Sequence, residues 1–131
     1  MAETLSSMIA GAREAAGEVA PAQACEALSR GDVHLIVDVR EPEEYRERHV
    51  PDAVNIPRGV LELRADPASP SADAALCEGR ERQVLVYCTR GPGARSLLAA
   101  QTLASMGYEN VTVLQGGLVA WSEAGLPVET V

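Results

Sequence analysis

Apolar positions along the chain change their period in a way that alternates helices with strands. Leu5, Met8, Ile9, Ala12 and Ala16 recur at helical spacing and predict an amphipathic first helix, packed on the domain rather than free as a partner-binding arm. A second helix is predicted from Pro21 to about Ser29, because proline suits a first helical turn and Gly31 suits the end. The run Val33 to Val39 is nearly continuous, apolar and rich in β-branched residues, the pattern of a strand buried on both faces. A short polar helix is expected over Glu41 to Arg48, then an extended stretch over Ala53 to Ile56. From Arg64 to Asp73 the prolines and serines at 67, 69, 70 and 71 predict a loop, closed by a short helix through Leu76 and Cys77.

The second half carries the strongest unit. Gln83 to Cys88 predicts a strand, Thr89 to Gly93 a tight Gly/Pro loop, and Ala94 to Met106 a helix stopped by Gly107, with another strand over Val111 to Leu114. Strands and helices alternating at this spacing imply an α/β fold, a parallel sheet with helices on both faces. Such sheets place their chemistry where strands end and helices begin, and Cys88 occupies such a point.

Composition narrows the picture. With 131 residues, 47% of them apolar, there is room for one domain with a continuous core, and we divide the chain into a helical extension over 1–18 and a domain over 19–131. The formal net charge is −8, and all 11 basic residues are arginine. Nucleic acid and anionic membrane attract basic surfaces, so neither is an expected partner. Cys25, Cys77 and Cys88 form an odd, widely spaced set, unsuited to a disulfide framework, and the N-terminal stretch is broken by Arg13 and Glu14 and lacks a basic leader. Both features lead us to expect a cytoplasmic protein.

Cys88 is the candidate nucleophile. An ordinary thiol is only a few per cent ionised at neutral pH, so a useful cysteine needs stabilisation of its anion. The loop residues Thr89, Arg90, Gly91, Pro92, Gly93, Ala94 and Arg95 offer it in three forms. Glycines let backbone N–H groups curl toward one point, the following helix adds the positive end of its dipole, and Arg90 and Arg95 add full charges. The same cradle would suit the sulfonate of thiosulfate or the oxygens of a phosphate. Cys25 and Cys77 sit among alanines on predicted helices and are read as small packing residues.

Two segments, VDVREPEEYRERHVPDAVNIPRG and VLVYCTRGPGARSLLAAQTLASMGYENVTVLQGGLVAW, resemble the corresponding regions of rhodanese domains, over roughly residues 19 to 128. The resemblance implies a three-layer fold with a mainly parallel five-stranded sheet, and a double-displacement sulfur transfer through a Cys88 persulfide. It implies a small anionic sulfur donor such as thiosulfate, a thiophilic acceptor (cyanide, a thiol or a protein cysteine), and no metal or organic cofactor. Asp38 and Arg40 match a D-x-R at a strand end and are expected to form a structural pair; Arg58 is a candidate rim cation; His49 is expected to tie down its loop, and Trp121 to anchor the core.

One departure stands out. Rhodanese loops commonly have the form C-x4-R, whereas Arg95 here falls at C-x6-R. The two extra residues are expected to form a bulge that widens the pocket or moves Arg90 over its mouth. Two rival functions remain open in the sequence. A cysteine phosphatase or arsenate reductase would want C-x5-R, and a non-catalytic module could present the acidic stretch Glu41, Glu43, Glu44 and Glu47, although such a run is usually a solvated helix face.

Overall fold

A computed structural model describes residues 2–131. Five strands, β1 (Gly17–Val19), β2 (Leu35–Asp38), β3 (Val54–Asn55), β4 (Gln83–Tyr87) and β5 (Asn110–Leu114), form one parallel sheet in the order β1-β5-β4-β2-β3. The helices are α1 (Leu5–Ala15), α2 (Pro21–Ser29), α3 (Pro42–Glu47), α4 (Leu61–Ala65), α5 (Ala74–Glu78), α6 (Ala94–Ser105) and α7 (Gly117–Glu123). None among the described residues is long and apolar enough to cross a membrane.

Alternation along the central strand builds two cores. Val84 and Val86 face one way, into a cluster with Val37, Leu97 and Leu103; Leu85 and Tyr87 face the other, with Ile36, Leu118 and Trp121. The sheet is therefore covered on both sides, which is why β2 runs Leu-Ile-Val before Asp38 and β4 runs Val-Leu-Val-Tyr after Gln83. The α/β class and the predicted strands hold. Two elements escape the sequence pattern: β1, three residues that pair with β5 at the sheet edge, and α4.

The first helix packs through Ile9, Ala12 and Ala16, whereas Leu5 stays 58% exposed and Met8 38%. Beyond β2 the chain moves outward to β3, and beyond β4 it moves to β5 on the opposite side. The connections thus diverge between β2 and β4. At such a switch point the C-terminal strand ends are left uncovered and form a crevice.

Candidate active site

Cys88 follows β4 and continues its alternation, so its side chain lies on the α6 side of the sheet with Val84 and Val86. Its Sγ is 3.3 Å from Oγ of Ser96, which in turn donates to the Gly93 carbonyl at 3.0 Å. The residue is only 3% exposed, yet it lines a recess of about 400 Å³ walled by the Thr89–Arg95 loop and Glu44. The first turn of α6 starts beside the sulfur. Leu97 is the first residue of that helix whose N–H bonds a backbone carbonyl, that of Gly93 at 2.8 Å; among the described residues the N–H groups of Ala94, Arg95 and Ser96 have no backbone acceptor. Unpaired first-turn donors and the positive end of the helix dipole favour negative charge there.

The long loop is accommodated by a tight turn, in which the Gly93 N–H bonds the Arg90 carbonyl at 2.9 Å. Gly93 itself has φ of 76°, and a Cβ at that position would stand 3.1 Å from Ser96 Oγ. Glycine there allows both the left-handed turn and the close hydroxyl.

Arg95 does not point freely at the recess. Its Nη1 and Nη2 donate to Oε1 and Oε2 of Glu44 at 2.7 and 3.2 Å, and Nη2 also donates to Thr89 Oγ1 at 3.1 Å. Thr89 Oγ1 donates to Glu44 at 3.3 Å, closing a three-membered clamp across the mouth of the loop. Glu44 is therefore not part of a merely solvated helix face. The hydrogen bonds from Arg95 hold its carboxyl down at about 2.

A folded-state value below the ordinary 4.5 means that the clamp stabilises the fold at pH above about 4.5 and stops doing so as pH falls to about 2. Both side chains are a third or more exposed, so screening limits the contribution to about 1 kcal/mol. Thermal melts of wild type and Glu44→Gln across acid pH should differ at pH 5 and converge near pH 2; a constant offset would contradict the clamp.

The other candidates divide into two groups. Asp38 and Arg40, both buried, form a chelate: Arg40 Nη2 to Oδ2 at 2.7 Å, Nε to Oδ1 at 3.1 Å, and the Arg40 N–H to Oδ1 at 2.9 Å. They hold the loop layer, as Arg40 also donates to the Arg48 carbonyl at 2.6 Å. Arg90 is exposed and lines the Cys88 recess, while Pro92 borders α1, where Arg13 approaches its carbonyl at 3.5 Å. Arg58 is not brought to the loop. Its guanidinium is taken by Glu62 at 2.9 Å and by Thr102, on the third turn of α6, at 3.0 Å. His49 stacks on Tyr45 with its Nδ1 2.8 Å from the Tyr45 carbonyl, and Trp121 donates from the core to the Pro127 carbonyl at 2.7 Å.

Three residues at the site escaped the sequence reading: Glu44, Ser96 and Gly117. Helix α7 begins against the loop, with the N–H of Leu118 on the Cys88 carbonyl at 3.0 Å and that of Val119 on the Thr89 carbonyl at 2.9 Å. Gly117 has φ of 61°, and a Cβ there would come within 2.7 Å of the Cys88 carbonyl oxygen and of Thr89 C. Backbone cannot yield as a side chain does, so Gly117→Ala should cost about 1–3 kcal/mol from the strained backbone alone. The contact should also displace the loop. Urea midpoints and the rate of Cys88 alkylation would both register it.

The family model of the Rhodanese-like domain matches residues 20–124. A sulfurtransferase of Allochromatium vinosum is 34% identical over 94 residues, covering 72% of this chain and 77% of that protein. The thiosulfate sulfurtransferase GlpE of Coxiella burnetii is 29% identical over 104 residues, covering 79% and 85%. Among solved structures, a protein of unknown function from Rhodopseudomonas palustris, described as a possible tyrosine phosphatase, superposes with a TM-score of 0.88 at 34% identity, over 98% of this chain and 96% of that one.

Proposed function

Because this chain belongs to the rhodanese-like domain family, we propose that it is a sulfurtransferase in which Cys88 carries sulfur as a persulfide. The observation that carries this reading is a cysteine that lines an open recess, its sulfur 3.3 Å from Ser96 Oγ on a helix turn whose amides have no backbone acceptor. In the first half-reaction the Cys88 thiolate attacks the outer sulfur of an anionic donor such as thiosulfate. The bond between the two donor sulfurs breaks, sulfite leaves, and Cys88–S–S⁻ remains. In the second, a thiophilic acceptor such as cyanide, a thiol or a protein cysteine attacks that outer sulfur and Cys88 departs as thiolate.

Both halves end with negative charge on sulfur beside α6, where the dipole and free donors lower its energy. Ser96 contributes at the same atom, since its hydroxyl can turn from the Gly93 carbonyl to donate to the charged sulfur. Arg90 supplies the exposed cation for the donor. The cysteine is the only reactive group this chemistry requires, so no metal or organic cofactor enters it. We place the reaction in the cytoplasm, a reading supported by three cysteines that are all unpaired.

The likeness to a protein described as a possible tyrosine phosphatase supports a second reading, phosphomonoester hydrolysis on the same cysteine. That reaction must protonate a leaving alkoxide. Glu44, the carboxylate lining the Cys88 recess, is held at about 2 by Arg95 and is ionised at neutral pH. Arg95 is committed to the clamp rather than free to embrace a phosphate. Sulfur transfer needs neither group. Assays with thiosulfate and cyanide, run beside a chromogenic phosphate ester, test the proposal: thiocyanate formation without ester hydrolysis is expected, and ester turnover alone would overturn it.

A further inference from the structure

The loop has a second side. A smaller groove of about 160 Å³ adjoins the Cys88 recess; Glu44, Thr89 and Arg90 line both, but Cys88 does not line the groove. Its charged lining is Arg40, Arg48 and Arg90 against Glu44 and Glu47. Arg40 is neutralised by Asp38, and Glu44 by Arg95. Among the described residues Arg48 and Arg90 make no ion pair, which leaves two uncompensated cations facing one exposed carboxylate, Glu47, in a chain of net charge −8. Nor is Arg48 placed casually. Its carbonyl is fastened to buried Arg40 at 2.6 Å, so its side chain leaves from a fixed point of the strand-end layer.

Cys88 does not line the groove, so the groove suits the part of a substrate that lies away from the reacting sulfur. Thiosulfate carries its sulfonate one bond from the sulfur it delivers, and both fit within the recess. The volume is below the roughly 300–1,000 Å³ typical of drug-sized ligand sites. We propose, building on the sulfur-transfer reading above, that Arg48 and Arg90 form an acceptor subsite for a small organic thiol bearing a carboxylate several bonds from its sulfur. The carboxylate docks on the two guanidinia while the thiol meets the persulfide. Its sulfur bonds the outer sulfur of Cys88–S–S⁻, the bond from that sulfur to Cys88 breaks, and the thiol proton passes to the outer sulfur. The products are R–S–SH and the Cys88 thiolate, with no change in overall charge and no further oxidant or reductant.

The test separates the two half-reactions. Protein is loaded with thiosulfate, freed of donor, and mixed with 3-mercaptopropionate, 2-mercaptoethanol or cysteamine at matched thiolate concentration, and loss of the added sulfur is followed by intact mass. The carboxylate thiol should discharge the persulfide about tenfold faster than the neutral one, and the cationic thiol slowest. Arg48→Ala keeps the backbone carbonyl that Arg40 needs. It should remove most of that tenfold preference, with Arg48→Lys restoring part of it and added salt eroding it in the wild type. Equal rates for the three thiols after successful loading, or a preference untouched in Arg48→Ala, would overturn the acceptor subsite alone. A loading rate that falls in step with discharge in Arg48→Ala would likewise overturn it, as the residue would then act on the whole site. Failure of Cys88 to gain sulfur at all would overturn both this inference and the sulfur-transfer reading.

Discussion

Replacing Cys88 by serine is expected to lower sulfur transfer by about 10⁴-fold or more, to the floor of the assay, while leaving the protein folded. Removing the atom that forms the covalent intermediate removes the pathway, because Glu44, the carboxylate lining this recess, is held at about 2 by Arg95 and is too weak a base to ionise a serine hydroxyl. The polar neighbour of Sγ is the Ser96 hydroxyl at 3.3 Å, a partner that a serine at 88 can keep. Stability should therefore change by no more than about 1 kcal/mol. Thiosulfate-to-cyanide turnover and a thermal melt on the same preparation check both halves. Retained turnover would place the persulfide elsewhere, and collapse of the melt would make the activity loss uninformative, in which case Cys88→Ala supplies the comparison.

The second large effect is on folding. Asp38 is 0% exposed and Arg40 4%, and each satisfies the other. Asp38→Leu would strand a guanidinium in the interior and should cost about 3–5 kcal/mol, a large share of the roughly 5–15 kcal/mol that holds a typical domain. Arg40→Met would strand the carboxylate and, in addition, release the Arg48 carbonyl. The paired substitution Asp38→Leu with Arg40→Met should be less destabilising than either single change, since no charge is left buried alone. Urea midpoints for the three variants decide it. Additive losses in the double variant would show that the two side chains do not act as a unit.

The sequence made much of this architecture legible because the signals were local. A strand that ends in cysteine, a Gly/Pro loop and a helix opening with Arg95 are neighbours in the chain, and the structure keeps them together. Asp38 and Arg40 are two residues apart and found each other as expected. Partner choice across distance was a different matter. Glu44 and Arg95 lie 51 positions apart, and four glutamates within seven residues gave no hint which one would face the loop. The anchoring of α3 through Tyr45, packed on the core with its hydroxyl on the Ala53 carbonyl, decided that. Arg58 failed for the converse reason, because its position after a strand suggested the rim but its length let it reach Thr102. Gly117 was visible as a motif residue, but the need for glycine there comes from contact with a backbone 28 residues earlier.

The three-residue strand β1 lies along the outer side of β5, in register from Gly17 with Thr112 to Val19 with Leu114. Residue 20, where the family match starts, lies just past it. A shortened protein starting there would leave the apolar Val111–Leu114 ribbon with its amides and carbonyls open to any passing chain, an invitation to intermolecular pairing and amyloid-like growth. Anyone trimming this molecule for expression should leave Gly17–Val19 in place, because so short an edge strand is a built-in terminator of sheet propagation.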